Sequence, residues 1–268
     1  MNDNLEKEFN VGGNIESALS GQYELKANNI LKEAWQLTIK NFLSFSPTIV
    51  LLIVLQITIF VVALKMQLGD PSVIFKIFEE SAESAQVQNI IESVLIANFS
   101  YEVISAPLFA GVCLMAMRHA TGFKTQIRHI LKGFQFTIPI MLMTLMALML
   151  QGIAGMVLPF LSLYLSMAFS NAVLLICEKR ITPMRSLLLS LRGVNKKILT
   201  ITAVYALVLL MFFAAALFYG IGLIFVLPFY FHIKGIIYRD MFGIRLKVTH
   251  SGGNSLNSKK TQSQVFDA

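Results

Sequence analysis

The stretch EKRITPMRSLLLSLRGVNKK, residues 178–197, decides how this chain folds. It carries six Lys and Arg residues and separates two blocks without charged residues, the 45 residues 133–177 and the 36 residues 198–233. Such blocks are typical of membrane-spanning helices, because about 20 apolar residues cross ~30 Å of hydrocarbon. We therefore expect two spans in each block, with the basic stretch at one face of a bilayer.

The composition of the whole chain indicates an integral membrane protein. Hydrophobic residues make up 56% of the 268 residues and charged residues only 14%, whereas about a quarter of the residues in soluble domains are charged. The net charge of +7 fits cationic loops that face an anionic leaflet better than it fits nucleic acid. We expect no nucleic-acid partner.

Working outward from the basic stretch gives six spans, at about 43–65, 90–117, 135–157, 159–177, 198–219 and 221–239. Lys and Arg number four up to residue 44, two in 65–88, four in 118–133, six in 178–197 and six from 234 onward. The positive-inside rule then predicts that both termini lie in the cytoplasm. The predicted fold is all-α, a polytopic bundle of six transmembrane helices within a membrane domain at 27–248.

Polar segments flank and connect the predicted spans. Residues 1–26 are expected to form a flexible polar tail without a cleaved signal peptide, and the Ser/Asn/Gly-rich residues 249–268 a disordered one. Amphipathic patterns at 29–42, 125–134 and 182–199 predict three helices lying on the cytoplasmic face. A helix break is expected at Leu158–Pro159, and a turn at Gly220–Gly222.

Glu102 is the residue that best suggests chemistry inside a predicted span. Asn98 lies four residues earlier on the same helical face, and Tyr101 is adjacent. Intramembrane carboxylates often mark proton or cation paths, but a protonated Glu102 that hydrogen-bonds a neighbouring helix explains the same pattern. We favour this structural interpretation, and the candidate intramembrane polar site is Glu102, Asn98 and Tyr101.

Cations on the amphipathic segments are candidate contacts for lipid phosphates: Lys124, Arg128, Lys132, Arg185, Arg192 and Lys196. His232 and Lys234 could also meet a phosphate, although anchoring the end of the last span is the simpler interpretation, with Lys234 snorkelling to the interface. His119 and His129 are expected to be solvated. No catalytic, cofactor-binding or metal-ligating motif is present.

Several short motifs follow one another in a recognisable order: Ala106-Pro107-Leu108-x-x-Gly111, Pro159, the run Glu178, Pro183, Leu187, Ser190, the turn Gly220-Ile221-Gly222 with Pro228, and Tyr238-Arg239-Asp240-Met241-Phe242-Gly243. In this order the chain resembles uncharacterised bacterial six-helix integral membrane proteins related to the membrane domain found beside glycerophosphodiester phosphodiesterases. The chain departs from that pattern at Phe160, where the family usually has Gly, and at Ser186, where it has Ala. The resemblance implies an inner-membrane protein of undefined activity, without the phosphodiesterase domain.

Three classes of function are compatible with these patterns. A non-catalytic scaffold or envelope-maintenance protein explains why the spans hold so few polar groups. A transporter or lipid-handling protein would use a polar path around Glu102. A membrane-embedded enzyme has no residue constellation behind it, so we expect no enzymatic activity. Expected partners are membrane lipids with anionic headgroups, and a membrane protein or a second copy of the chain.

Overall fold

A computed structural model of the protein describes residues 7–78 and 84–248. In this part of the chain, α-helices account for nearly all regular structure: α1 (Ile15–Ser20), α2 (Ala27–Leu68), α3 (Ser84–Ala120), α4 (Thr137–Val157), α5 (Pro159–Ala168), α6 (Ala172–Lys179), α7 (Pro183–Lys196), α8 (Ile198–Leu217) and α9 (Leu223–Phe242). Two 3-10 helices, Pro71–Phe78 and Ile127–Phe136, and two short strands, β1 (Lys7–Val11) and β2 (Ile244–Val248), complete it.

Five helical segments are long and apolar enough to cross a membrane: Ala27–Leu68, Gln86–Ala120, Ile127–Val157, Pro159–Lys179 and Ile198–Leu217. The chain is therefore a multi-pass helical membrane protein. The sixth predicted span, 221–239, coincides with α9, which differs because it carries Lys234, Arg239 and Asp240. A crossing by α9 stays a prediction.

Helices α2 and α3 run further than the predicted spans. Residues 29–42 were expected to form a separate amphipathic helix, but they continue into the first span as one helix of 42 residues. At 1.5 Å per residue α2 is roughly 60 Å long, about twice the hydrocarbon thickness. Helix α2 therefore extends beyond the hydrocarbon and pairs with α3 along its length.

Helix α9 lies at the centre of the fold, packed against α2, α3 and α8. Of its 20 residues, 13 are buried. A Cβ on Gly235 would come within 2.9 Å of the Ala116 backbone, so α9 and α3 approach almost backbone to backbone. Gly111 allows the same closeness on another side of α3, where a Cβ would collide with the Ile130 carbonyl of the second 3-10 helix.

Helix breaks occur where Pro and Gly predicted them. Helix α4 ends at Val157 and α5 begins with Pro159, while α8 ends at Leu217 and α9 begins after Gly222. The predicted span 159–177 is itself interrupted, because residues 169–171 separate α5 from α6. Sequence patterning missed this second break, since Phe169-Ser170-Asn171 contains no Gly or Pro.

The N-terminal segment is folded from residue 7 onward, contrary to the expected flexible tail. Strand β1 pairs antiparallel with β2, with Lys7 opposite Val248, and α1 packs on α7 and α9. The Tyr23 hydroxyl donates to the Gly193 carbonyl at 2.8 Å, and burial raises the pKa of this phenol to about 12. We call β1 and α1, together with the partner strand β2, the N-terminal cap. Residues 1–6 and the predicted tail 249–268 lie outside the described residues.

Candidate functional site

The three residues predicted as an intramembrane polar site lie together on α3. The Asn98 side-chain amide donates to Glu102 Oε1 at 3.2 Å, and the Tyr101 ring meets Phe60 of α2 edge to face, with centroids 5.8 Å apart. Asn98 and Tyr101 line a groove of about 320 Å³ between α2 and α3, with Ile53, Gln56, Ile57 and Phe60 on the other wall. Glu102 lies beside the groove and does not line it.

The groove has a polar contact that sequence reasoning missed. Gln56 of α2 donates to the Ser105 hydroxyl of α3 at 3.3 Å, which links the two helices next to the Asn98–Glu102 pair. Gln56 was detectable as the one amide within the predicted span 43–65. We expected Glu102 to hydrogen-bond a neighbouring helix. Gln56 makes the bond between helices instead, and Glu102 bonds to Asn98 within its own helix.

A chain of four buried side chains lies deeper in the core. Thr38 Oγ1 is 2.9 Å from His232 Nδ1, His232 Nε2 is 3.0 Å from His119 Nδ1, and His119 Nε2 is 2.8 Å from Thr125 Oγ1. All four residues are at most 5% exposed. The expectation that His119 is solvated is therefore wrong, because α9 brings His232 against it. His129, by contrast, is partly exposed and accepts from the Gln126 backbone N–H.

Counting the protons shows which atom donates in each hydrogen bond from Thr38 through His232 and His119 to Thr125. The Thr38 hydroxyl donates its proton to the Ala34 carbonyl at 2.7 Å, so its oxygen accepts from His232 Nδ1–H. With both imidazoles uncharged, His232 Nε2 then accepts from His119 Nδ1–H, and His119 Nε2 accepts from the Thr125 hydroxyl. Each of the four imidazole nitrogens then has a partner, and these bonds join α2, α3, α9 and the loop before the second 3-10 helix.

Lys234 is buried, one turn from Tyr230 on α9. It is 4% exposed, so it does not reach the interface as the snorkelling interpretation required. Its Nζ lies 5.1 Å from the Phe109 ring centroid and 5.6 Å from that of Tyr230. Among the side chains that the structure describes, none places a carboxylate in ion-pair distance of this ammonium. Desolvating an ammonium costs several kcal/mol, and a buried cation–π contact returns about 2 kcal/mol.

Polar atoms without protein partners lie at the break between α5 and α6. Ser190 Oγ donates to the Ala168 carbonyl at 2.6 Å and accepts from the Asn171 N–H at 3.2 Å, which holds the break against α7. Three buried oxygens have no hydrogen-bond partner of good geometry, Ser170 Oγ, Asn171 Oδ1 and the Tyr205 hydroxyl, although the Ser170 and Tyr205 hydroxyls lie close enough to interact. Buried polar groups are rarely left in this state.

Ionic contacts tie the cap-side ends of the helices together. Glu178, buried at the end of α6, accepts from the Tyr238 hydroxyl at 2.8 Å and the Arg245 N–H at 3.1 Å. Arg239 binds Glu33 of α2 with both terminal nitrogens and donates to the Ala120 carbonyl at 2.8 Å. The Tyr238–Gly243 motif of the resemblance thus supplies contacts that join α9 to α2, α3 and α6.

The predicted lipid-phosphate contacts lie at the surface. Five of them are exposed and Lys132 is partly exposed. They stand beside exposed apolar side chains on the second 3-10 helix, such as Leu131 (59%) and Phe134 (48%), and on α7, such as Met184 (58%).

No protein-family model, curated protein or solved structure matches this chain. The resemblance to membrane proteins associated with phosphodiesterases therefore stays an expectation.

Proposed function

We propose that this chain is a six-span protein of the bacterial inner membrane with a non-catalytic scaffold or envelope-maintenance role, seated on anionic lipid at its cytoplasmic face. The observation that carries the proposal is the mixed surface on the second 3-10 helix and α7, where exposed cations alternate with exposed apolar side chains. Such a surface combines burial at the acyl boundary with attraction to lipid phosphates.

The paired strands support an even number of crossings. Strand β1 precedes the first long helix, and β2 follows α9. Because the two strands are hydrogen-bonded, they lie on the same side of a membrane, and the chain between them crosses it an even number of times. Five crossings would violate this condition, and a crossing by α9 satisfies it. The proposed topology therefore has six spans, with both strands in the cytoplasm.

A scaffold role is supported by how the polar residues of the core and cap are used. Glu178, Arg239 and the two buried His residues bond to other parts of the chain, which makes the cap-side half a firmly connected unit. A rigidly connected unit with an exposed surface of cations and apolar side chains suits a protein that holds partners at the membrane surface.

The experiment for this role is extraction of the tagged chain from native membrane into polymer nanodiscs, followed by mass spectrometry of the associated protein and lipid. We expect a stoichiometric protein partner and enrichment of anionic phospholipid over bulk membrane. The test variant has Arg128, Lys132, Arg185 and Arg192 changed to Gln. It should lose the enrichment of anionic phospholipid that the wild-type protein shows. Retention of bulk lipid composition by the wild-type protein, without any partner, would refute the proposal.

Topology has its own test. Reporter fusions after Gly69, at the end of α2, and after Lys196, at the end of α7, should report opposite sides of the membrane. Reports from the same side would contradict the six-span arrangement and leave the lipid-binding surface to be judged separately.

A lipid-handling role is the second candidate, and the groove between α2 and α3 favours it. The groove has apolar walls with Gln56, Asn98 and Tyr101 among its lining residues, a lining that can accept an acyl chain beside a polar group. Asn98→Leu changes a lining residue, and Glu102→Gln changes the acceptor that Asn98 binds beside the groove. Both variants should then change transport or lipid composition without changing stability. If both variants alter stability alone, this role loses its support.

A further inference from the structure

The buried ammonium of Lys234 is not accounted for by the scaffold role. Its nitrogen lies over the Phe109 and Tyr230 rings, and Cys113 and Tyr205 are close enough to interact with it electrostatically. Thiols and phenols are neutral acids at pH 7, so they supply no counter-charge. A cation in this position can be neutralised by a bound anion.

Two hydroxyl groups beside Lys234 are buried and interact only weakly with each other. The Ser170 hydroxyl lies close enough to that of Tyr205 to interact with it, but neither oxygen has a hydrogen-bond partner of good geometry. Tyr205 comes from α8 and Ser170 from the break between α5 and α6, so polar residues of three separate elements meet in one region. Lys234 offers three N–H donors and each hydroxyl offers one more.

The aromatic residues around Lys234 lie near the side of the bundle. The rings of Tyr205, Tyr230 and Phe212 are partly exposed, while Lys234 beneath them is buried. Helix α8, which carries Tyr205, has only four buried residues.

We propose that Lys234, Tyr205 and Ser170 form a binding site for a phosphate-bearing anion. A phosphate group has enough acceptor oxygens to take the donors of all three side chains, and its negative charge neutralises the ammonium in a site where opposite charges are little screened. This site is separate from the cationic surface on the second 3-10 helix and α7, and it stands or falls independently of the scaffold role.

Two sources can supply this group, a lipid headgroup that enters between α8 and α9 or a free phosphate ion. The test uses the purified full chain in an uncharged detergent and measures thermal unfolding and native mass spectra during titration with phosphatidylglycerol or inorganic phosphate. We expect one of the two to raise the unfolding temperature in proportion to occupancy. Stabilisation by phosphatidylglycerol assigns the lipid, and stabilisation by phosphate assigns the free ion.

The decisive variant is Lys234→Met, which keeps the length of the side chain and removes its charge. We expect it to weaken binding of the stabilising ligand at least tenfold, while Lys65→Met, which removes an exposed cation at the far end of α2, leaves binding unchanged. Without ligand, Lys234→Met should unfold at a higher temperature than the wild type, because it has no unpaired buried charge. A merely structural lysine would give no such reversal between the two conditions.

Tyr205→Phe keeps the shape of the site and removes one donor, so it carries the test if Lys234→Met does not fold. It should weaken binding about threefold to tenfold. The proposal is overturned if neither ligand stabilises the wild type, or if the folded variants bind the stabilising ligand as tightly as the wild type does.

Discussion

Helices α8 and α9 have the same length, 20 residues, and opposite placements. Helix α8 contains no charged residue, yet only Ile201, Val204, Val208 and Ala215 are buried. Helix α9 carries three charged residues and a histidine, and 13 of its residues are buried. The more polar helix is therefore the core of the protein, and the more apolar helix covers it.

This inversion follows from the solvent. In a bilayer, apolar side chains lose nothing by facing lipid, whereas polar groups must find partners inside the protein. His232 finds such partners in Thr38 and His119, and helix α9 is drawn inward by bonds of this kind together with close backbone packing at Gly235. Apolarity alone thus identifies spans, and the polar residues within them identify the centre.

The largest expected effect comes from Gly235→Leu. The added side chain would meet the Ala116 backbone, which cannot yield as a flexible side chain would, and overpacking costs typically 1–3 kcal/mol or more. We expect no monodisperse folded protein by size-exclusion chromatography. The matched change Ala203→Leu on the exposed face of α8 should leave the elution profile unchanged, and normal behaviour of Gly235→Leu would contradict the central position of α9.

His232→Leu should follow, with a loss of about 2 kcal/mol in the free energy of unfolding. It leaves His119 Nδ1–H and the Thr38 hydroxyl oxygen buried without their partner, and each such group costs about 1–3 kcal/mol in part offset by relaxation. Reversible unfolding in mixed micelles measures the loss. The double variant His119→Leu/His232→Leu should lose less free energy of unfolding than the sum of the two single variants. Full additivity would mean that the hydrogen bonds of His119 and His232 are independent of each other.

Tyr23→Phe should cost about 1 kcal/mol, the worth of a typical net hydrogen bond, because it removes the bond from the segment after α1 to the Gly193 carbonyl of α7. Since the pKa of the buried phenol is raised from 10.0 to about 12, the stability that Tyr23 contributes is complete below pH 10 and declines as the pH rises toward 12. The difference in stability between wild type and variant, followed from pH 9 to pH 12, should shrink. A constant difference would indicate that Tyr23 ionises as freely in the folded protein as in the unfolded chain.

Leu210→Ala on α8 should have the smallest effect, below about 0.5 kcal/mol. Leu210 is 64% exposed and faces the region expected to hold lipid. The same truncation at buried Ile236 of α9 should cost about 2–5 kcal/mol, as measured under identical micelle conditions. Equal losses at the two positions would mean that α8 is covered by another protein surface.

Local patterns in the sequence were sufficient to locate the apolar helices and several of their ends. Pro159 starts α5 because proline suits the first turn of a helix, and Gly220 with Gly222 marks the turn before α9. The cations at Arg128 and Arg192 are exposed, as their amphipathic spacing predicted. Each of these features depends on residues within about one helical turn.

Features that depend on distant residues escaped prediction. The His119–His232 contact joins positions 113 residues apart, and the burial of Lys234 depends on Phe109 of another helix. The five residues KEFNV of β1 carry no local pattern that distinguishes a strand from a polar tail. They form a strand because they pair with β2 at the other end of the described residues. The groove beside Asn98 required the facing residues of α2 to be placed.

The pairing of β1 with β2 also sets an order of events during synthesis. Strand β1 leaves the ribosome first, but its partner is made only after α9, which at 5–20 residues per second is on the order of 10–50 s later. Until then the backbone groups of β1 have no strand to bond with. Closure of this ribbon therefore marks the moment when the whole helical bundle has been made, and a chain cut short before residue 244 lacks the strand with which β1 pairs.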